Sequence, residues 1–341
     1  MARKPHDAKA MSGKRVVVIG GGTGAYQVLV GLKKYPVDLS AVVTMSDSGG
    51  STGKLRREFS ILPPGDVRRA LSALSNLPLA EKTLETLFDF RFHSKGSLGG
   101  HSVGNLLLAA LTQITGREDL AIKEAGKILA VSGNVCPVTL DKTTLVAELE
   151  NGKKIVGETK IDLRWQGKEF AEVPIKNVYL RPRAIVFKEA SEAIKKADLV
   201  ILGPGDLYTS IVPNLLVDGV NEAIAASRAK VALIVNLMTK PGETDNFTAS
   251  DFIRIIRQYL QKAGNKISHV VVNTKFPEDV QTLAWYLKHS SKPVLDDVDS
   301  RREKIKLIRG GFTQRGELLR HDPAKLAKAL TPIVLRRSRP R

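Results

Sequence analysis

The chain has 341 residues, 43% of them hydrophobic, enough for a large core and, by length alone, about two domains. No apolar run approaches the ~20 residues that span a bilayer, the first residues (Met1-Ala2-Arg3-Lys4-Pro5-His6-Asp7) lack the apolar core of a secretion signal, and the one cysteine, Cys136, excludes an internal disulfide and a cysteine-rich metal site. The net charge of +18 is partly terminal (Arg3, Lys4, Lys9, Lys14, Arg15; Arg336, Arg337, Arg339, Arg341), and with 5% aromatic residues it predicts attraction to anions rather than specific nucleic-acid binding.

Residues 1–14 read as a flexible basic arm. Val16-Val17-Val18-Ile19 then runs straight into Gly20-Gly21-Gly22-Thr23-Gly24-Ala25. Four β-branched residues in a row suit a strand buried on both faces of a parallel sheet. The glycines let the backbone turn and approach a ligand, and the helix expected next (Val28, Leu29, Leu32) would aim its unpaired N–H groups at an anion. Gly20, Gly22 and Ala25 fit the dinucleotide pattern G-x-G-x-x-G/A. Asp47 follows a second apolar strand, Ala41-Val42-Val43-Thr44-Met45, near the ~20-residue spacing of a ribose-binding acid. These features predict a bound phosphate ester without choosing NAD over other nucleotides.

The segment Ser46-Asp47-Ser48-Gly49-Gly50-Ser51-Thr52-Gly53-Lys54-Leu55 is glycine-rich but is no Walker loop. Gly53 follows Gly49 one residue too early, and Leu55 stands where Ser or Thr should bind magnesium. It reads as a loop holding phosphate through N–H and hydroxyl groups, or as a flexible surface turn. Asp66 is expected to cap a helix that follows Pro63-Pro64-Gly65, with Arg56, Arg57, Arg68 and Arg69 available to grip phosphate. Asp47 and Asp66 form a candidate pair of Mg²⁺ ligands. Helices are expected over 84–92, 102–115 and 120–129, which would make His101 and Asn105 neighbours on one helical face.

Near Val138 the texture changes to short strands. Thr144-Leu145-Val146-Ala147-Glu148-Leu149 and Lys154-Ile155-Val156 flank Asn151-Gly152, a hairpin expected to turn through a type I′ pair. Residues 138–183 therefore read as a small β-rich insert. The α/β pattern returns with a helix at 190–196 and buried strands at 199–202, 231–235 and 269–272, which end in Gly203-Pro204-Gly205, Asn236 and Asn273. Ligands of an open parallel sheet sit beyond the carboxyl ends of the strands, so 20–25, 47–53, 203–210, 236–244 and Asn273 are expected to converge on one crevice.

Taken together, the blocks Ile19-Gly20-Gly21-Gly22-Thr23-Gly24, Ser46-Asp47-Ser48-Gly49-Gly50-Ser51, Pro63-Pro64-Gly65-Asp66, Gly100-His101-Ser102-Val103-Gly104-Asn105, Gly203-Pro204-Gly205-Asp206, Asn236-Leu237-Met238-Thr239 and Arg320-His321-Asp322-Pro323 resemble the gluconeogenesis-factor (YvcK-like) family, relatives of the 2-phospho-L-lactate transferase CofD. The resemblance spans about 15–331. It implies an α/β, Rossmann-like three-layer sandwich with a mainly parallel sheet, one nucleotide-binding domain formed by 15–137 and 184–331, the insert at 138–183 and a basic tail at 332–341. It implies a UDP-sugar ligand, such as UDP-N-acetylglucosamine, and a cytoplasmic regulator of carbon metabolism and cell-envelope or cell-shape synthesis; a homo-oligomer is expected. The alternative is a CofD-like, Mg²⁺-dependent transferase of a phospholactyl or phosphoenolpyruvyl group to a deazaflavin.

The expected binding set is Gly21, Gly22, Thr23, Gly24, Asp47, Gly49, Gly50, Ser51, Asp66, His101, Asn105, Gly203, Pro204, Gly205, Thr209, Ser210, Asn236 and Thr239. Tyr286 and Arg320 join it only through the resemblance. One departure bears on mechanism. The family loop usually reads Asp-Asp-Gly-Gly-Ser, and its second Asp is Ser48 here, which favours binding over metal-assisted transfer.

Overall fold

The first strand, β1 (Lys14–Gly20), carries its β-branched run into the centre of a sheet, with residues 16–19 at most 1% exposed. The computed structural model describes residues 13–77, 82–167, 172–276, 280–314, 316 and 318–335; Arg3, Lys4, Lys9, Arg336, Arg337, Arg339 and Arg341 lie outside them. The glycine turn leads into α1 (Gly22–Leu32), and β2 (Val37–Val43) pairs parallel to β1.

The glycine-rich segment read as a loop is instead helical from its middle onward, as α2 (Gly50–Phe59). Intrinsic propensity disfavours a helix there, but Leu55 packs with Ile61 and Ala109, and Ser51 is hydrogen-bonded from outside the helix. Next come α3 (Pro64–Leu74), α4 (Lys82–Asp89), α5 (Val103–Thr115) and α6 (Glu118–Ile128). The fourth helix stops at Asp89 rather than 92, because Arg91 bridges Ser102 in extended backbone. Strand β3 (Asn134–Pro137) pairs parallel to β2, burying Cys136, whose thiol is pushed up to about 12 by that burial.

The insert forms a separate antiparallel sheet. Strand β4 (Thr144–Leu149) lies between β5 (Lys154–Val156) and the later β6 (Ile175–Arg181), with the short helix α7 (Glu158–Asp162) between those two. The expected hairpin is present, but its turn is not type I′. That turn needs positive φ at both central residues, whereas only Gly152 has it (φ +82°). The Gly152 N–H donates to the Leu149 carbonyl at 2.9 Å and the Leu149 N–H to Lys153 at 2.8 Å, the three-residue loop with a left-handed glycine.

The second half resumes with α8 (Lys188–Lys196), β7 (Leu199–Leu202), a π turn at Leu207–Ile211, α9 (Val212–Leu215), α10 (Val220–Ala226) and β8 (Lys230–Ile234). It ends with α11 (Ala249–Leu260), β9 (Ile267–Asn273), α12 (Val280–Lys288), β10 (Lys306–Gly310), the small ribbon β11 (Thr313–Gln314) and β12 (Arg320–His321), and α13 (Pro323–Leu335).

The main sheet is entirely parallel in the order β3-β2-β1-β7-β8-β9-β10. The chain grows outward from β1 to β3, then returns to β7 at the other side of β1 and grows the opposite way. Helices cover both faces, giving the Rossmann-like sandwich, and the reversal puts a topological switch point between β1 and β7. Gly24 fixes that point sterically: a Cβ there would stand 2.1 Å from the Pro204 carbonyl oxygen, so α1 and the loop after β7 meet backbone to backbone. No helix among the described residues is long and apolar enough to cross a membrane.

Candidate functional site

A cleft of about 650 Å³ opens at the carboxyl ends of the strands over this switch point, within the usual volume of a small-ligand site. Its floor is the β1–α1 turn and the loop after β7. Helices begin with N–H groups that no helical carbonyl can reach, and here one of them, on Gly22, donates to Asp66 Oδ1 at 2.8 Å. Asp66 thus supports α1 from 44 residues away and does not cap its own helix, whose N-cap is Pro63.

Of the expected residues, Gly21, Gly22, Thr23, Gly24, Asp47, Asp66, Pro204, Gly205, Thr209, Ser210, Asn236, Thr239, Tyr286 and Arg320 line the cleft. Several are engaged in holding its walls. The Asn236 side chain accepts from the Gly205 N–H (3.2 Å) and donates to the Gly205 carbonyl (2.9 Å), clasping the loop after β7 to the loop after β8. Thr209 donates to the buried Glu243 at 3.1 Å, and the Thr239 hydroxyl accepts from the Lys292 N–H at 2.9 Å. The Tyr286 hydroxyl accepts from the Leu319 N–H at 3.0 Å, which fixes the ring beside Arg320.

Gly49, Gly50, Ser51, His101, Asn105 and Gly203 lie outside the lining. His101 precedes the Ser102 N-cap of α5, so it is not a helical neighbour of Asn105. The two meet on a third residue instead: Ser51 Oγ lies 3.0 Å from His101 Nδ1 and accepts from Asn105 Nδ2 at 3.1 Å. This buried node ties α2 to α5. Asn273 is likewise spent on its own loop, accepting from the Phe312 N–H at 2.7 Å. Lys54, the residue that mimics a Walker lysine, points to the Gly99 carbonyl.

Sequence reasoning missed the contribution of the insert. Helix α7 delivers Glu158 and Asp162 to the cleft, and Trp165 follows. At one end of α7, Ser48 accepts from the Thr159 N–H at 3.1 Å while Glu158 accepts from the Ser48 N–H at 3.2 Å and the Thr159 hydroxyl at 3.0 Å. At the other end Asp162 pairs with Lys240, whose ammonium also reaches Asp206 at 2.6 Å and Glu243 at 3.1 Å.

Those three carboxylates lie within 4.8 Å of one another and can chelate a divalent ion, but the lysine already stands among them. Asp47 and Asp66 are not members of that cluster. Burial and then the Asp47 charge push Asp66 up to about 6, against the pull of Arg69 and the Gly22 N–H. Glu158 is pushed up to about 7, again by burial first and Asp47 second. Trp285 and Tyr286 also line the cleft, ring centroids 5.1 Å apart edge to face, with His289 against the indole at 4.1 Å.

The sequence pattern of the 2-phospho-L-lactate transferase CofD family matches residues 16–313. The gluconeogenesis factor of Bacillus subtilis is 40% identical over 324 residues, covering 94% of this chain and 98% of that protein. The chain belongs to the gluconeogenesis-factor family. The Listeria innocua gluconeogenesis factor is 39% identical over 329 residues, 94% of this chain and 95% of its own. A Bacillus halodurans protein of the UPF0052 family, known from its crystal structure, superposes with a TM-score of 0.84 at 42% identity, over 94% of this chain and 99% of that one. Ser48, where the resemblance leads to the expectation of a second acid in the loop after β2, is the residue that anchors α7.

Proposed function

We propose that the cleft holds a UDP-sugar, and that the protein acts as a ligand-responsive regulator rather than turning the sugar nucleotide over. The observation that carries this reading is that the α1 N-terminus, Ser210 and Arg320 line one cleft together with an aromatic ledge (Trp285, Tyr286). A diphosphate suits the helix end and the guanidinium, and a flat base suits the ledge. The gluconeogenesis-factor family supports a role in carbon metabolism, and the YvcK-like resemblance extends it to envelope and cell-shape control.

A CofD-like transfer of a phospholactyl or phosphoenolpyruvyl group is the second reading, favoured by the match to that family. It is weakened by Ser48 in place of an acid and by Lys240 among the three clustered carboxylates. Magnesium would be the cofactor, held by Asp47 and Asp66 or by the cluster once Lys240 moves aside.

Thermal-shift and calorimetric titrations with UDP-N-acetylglucosamine, UDP-glucose, GDP, NAD and a deazaflavin separate these readings. A ligand at ~100 times its dissociation constant stabilises the fold by about 2.7 kcal/mol. The expected outcome is a shift with UDP-sugars only. No heat with any UDP-sugar at millimolar ligand overturns the proposal. Product from a deazaflavin and a guanylylated phospholactate with Mg²⁺ replaces it with transfer.

A further inference from the structure

The two anchors of α7 lie on loops that are not neighbours. Ser48 follows β2 and Lys240 follows β8, and between those strands the sheet places β1 and β7. Helix α7 therefore crosses above the switch point, roofing the part of the cleft floored by the β1–α1 turn. The roof also covers the path a dinucleotide would take. Its ribose would reach for an acid at the end of β2, but Asp47 Oδ1 already accepts the Gly49 N–H at 2.9 Å, and Glu158 stands on the adjacent Ser48 N–H.

The two ends of the cleft offer different chemistry. On the side of α12 and of the segment that carries Leu319 and Arg320 it presents an aromatic ledge, with Trp285 48% exposed and Tyr286 held by its hydroxyl. A base stacks on such a surface without ordering it further. Beneath α7 it presents carboxylates and one indole. Asp162 and Asp206 are oriented by Lys240 through one oxygen each, and among the described residues Asp162 Oδ2 and Asp206 Oδ1 accept no hydrogen bond. Carboxylates only accept, so they select a ligand rich in hydroxyl donors.

We infer that the insert is the sugar-recognising part of the site: the nucleotide lies along the strand ends with its base on Trp285 and Tyr286, and its sugar sits beneath α7 against Trp165, Asp162 and Asp206. This rests on the sugar-nucleotide reading above and adds direction to it. The insert then determines which sugar is accepted, while the sheet loops bind the part common to all UDP-sugars.

The test is calorimetric titration of the full chain with UDP, UDP-glucose and UDP-N-acetylglucosamine. In Trp165→Ala the advantage of the UDP-sugars over UDP falls by about fivefold to tenfold, the worth of one good contact, while UDP affinity stays within about twofold of wild type. Trp285→Ala weakens all three ligands by a similar factor. Asp162→Asn, which keeps the side-chain shape, repeats the Trp165→Ala pattern and stands in for it if that variant melts early. The inference is overturned if Trp165→Ala weakens UDP as much as the UDP-sugars, or if Trp285→Ala removes the sugar preference alone. Wild-type protein that binds none of the three ligands overturns the sugar-nucleotide reading as well.

Discussion

A methyl group on Gly24 would meet the Pro204 carbonyl oxygen at 2.1 Å and the Gly205 nitrogen at 3.0 Å, all backbone atoms that cannot swing aside. In an isolated helix alanine would be preferred there by about 1 kcal/mol, so the sign of the substitution is set by packing, not by propensity. Gly24→Ala is expected to lower stability by about 1–3 kcal/mol and to weaken nucleotide binding, since it parts α1 from the loop after β7. Gly126 in α6 provides the contrast, because its added Cβ would meet only side chains, Leu71 at 3.7 Å and Val131 at 3.8 Å, both at ordinary contact distance. Gly126→Ala is expected to be neutral or stabilising by about 0.5–1 kcal/mol. Urea unfolding of both variants checks the pair, and equal destabilisation would remove the argument.

At the scale of elements, α7 is too short to hold itself together and depends on its anchors. Ser48 acts as an N-cap supplied from another loop, accepting the Thr159 N–H and contacting the Thr159 hydroxyl at 3.0 Å. Ser48→Ala is expected to cost about 1 kcal/mol and to raise the hydrogen-exchange rate of the Thr159 amide; an unchanged rate would show that α7 docks without Ser48. This dependence explains what could be read from the sequence. Strands β1, β7, β8 and β9 are legible because buried parallel strands are continuous apolar runs. Strand β10 hides because Lys306 and Arg309 break its run at the sheet edge, and β3 because it has four residues ending in Pro137. The glycine loops and Asp47, Asp66 and Asn236 are legible as cleft residues because strand ends converge by topology. The acidic and lysine cluster is not: Asp162, Asp206 and Lys240 come from three segments, 34 and 78 residues from one another's partners, and no local spacing links them. Gly157-Glu158 directly after a strand was the one local hint of α7.

Across the whole molecule a basic chain, +18 overall, surrounds a cleft whose inner side is acidic. The surface charge speeds the approach of an anion, but the anion must then sit beside Asp66 and Glu158. Both carboxyls hold protons more tightly in the folded protein than in the unfolded chain, Asp66 to about 6 against 3.8 and Glu158 to about 7 against 4.5. The folded state therefore carries more protons than the unfolded state between these values, so these two groups make stability fall as pH rises through that window and level off above about 7. His321 works in the opposite sense, since burial pushes it down to about 4 from 6.5 and its contribution is lost as pH falls. The net curve mixes these trends, and a difference between variants separates them. Asp66→Asn keeps an acceptor for the Gly22 N–H but cannot ionise, so its stability relative to wild type should rise between about pH 4 and 6 and be flat beyond, by up to about 1.4 kcal/mol per pH unit within the window. Ligand binding should follow the same protons. A diphosphate brought near these carboxyls favours their neutral forms, so affinity for a UDP-sugar is expected to fall as pH rises from 6 to 8, with proton uptake on binding. Titrations in buffers of different ionisation enthalpy measure that uptake directly. Wild-type binding with no proton uptake at pH 6.5, or uptake unchanged in Asp66→Asn with Glu158→Gln, would mean that the phosphates lie away from the acidic side of the cleft.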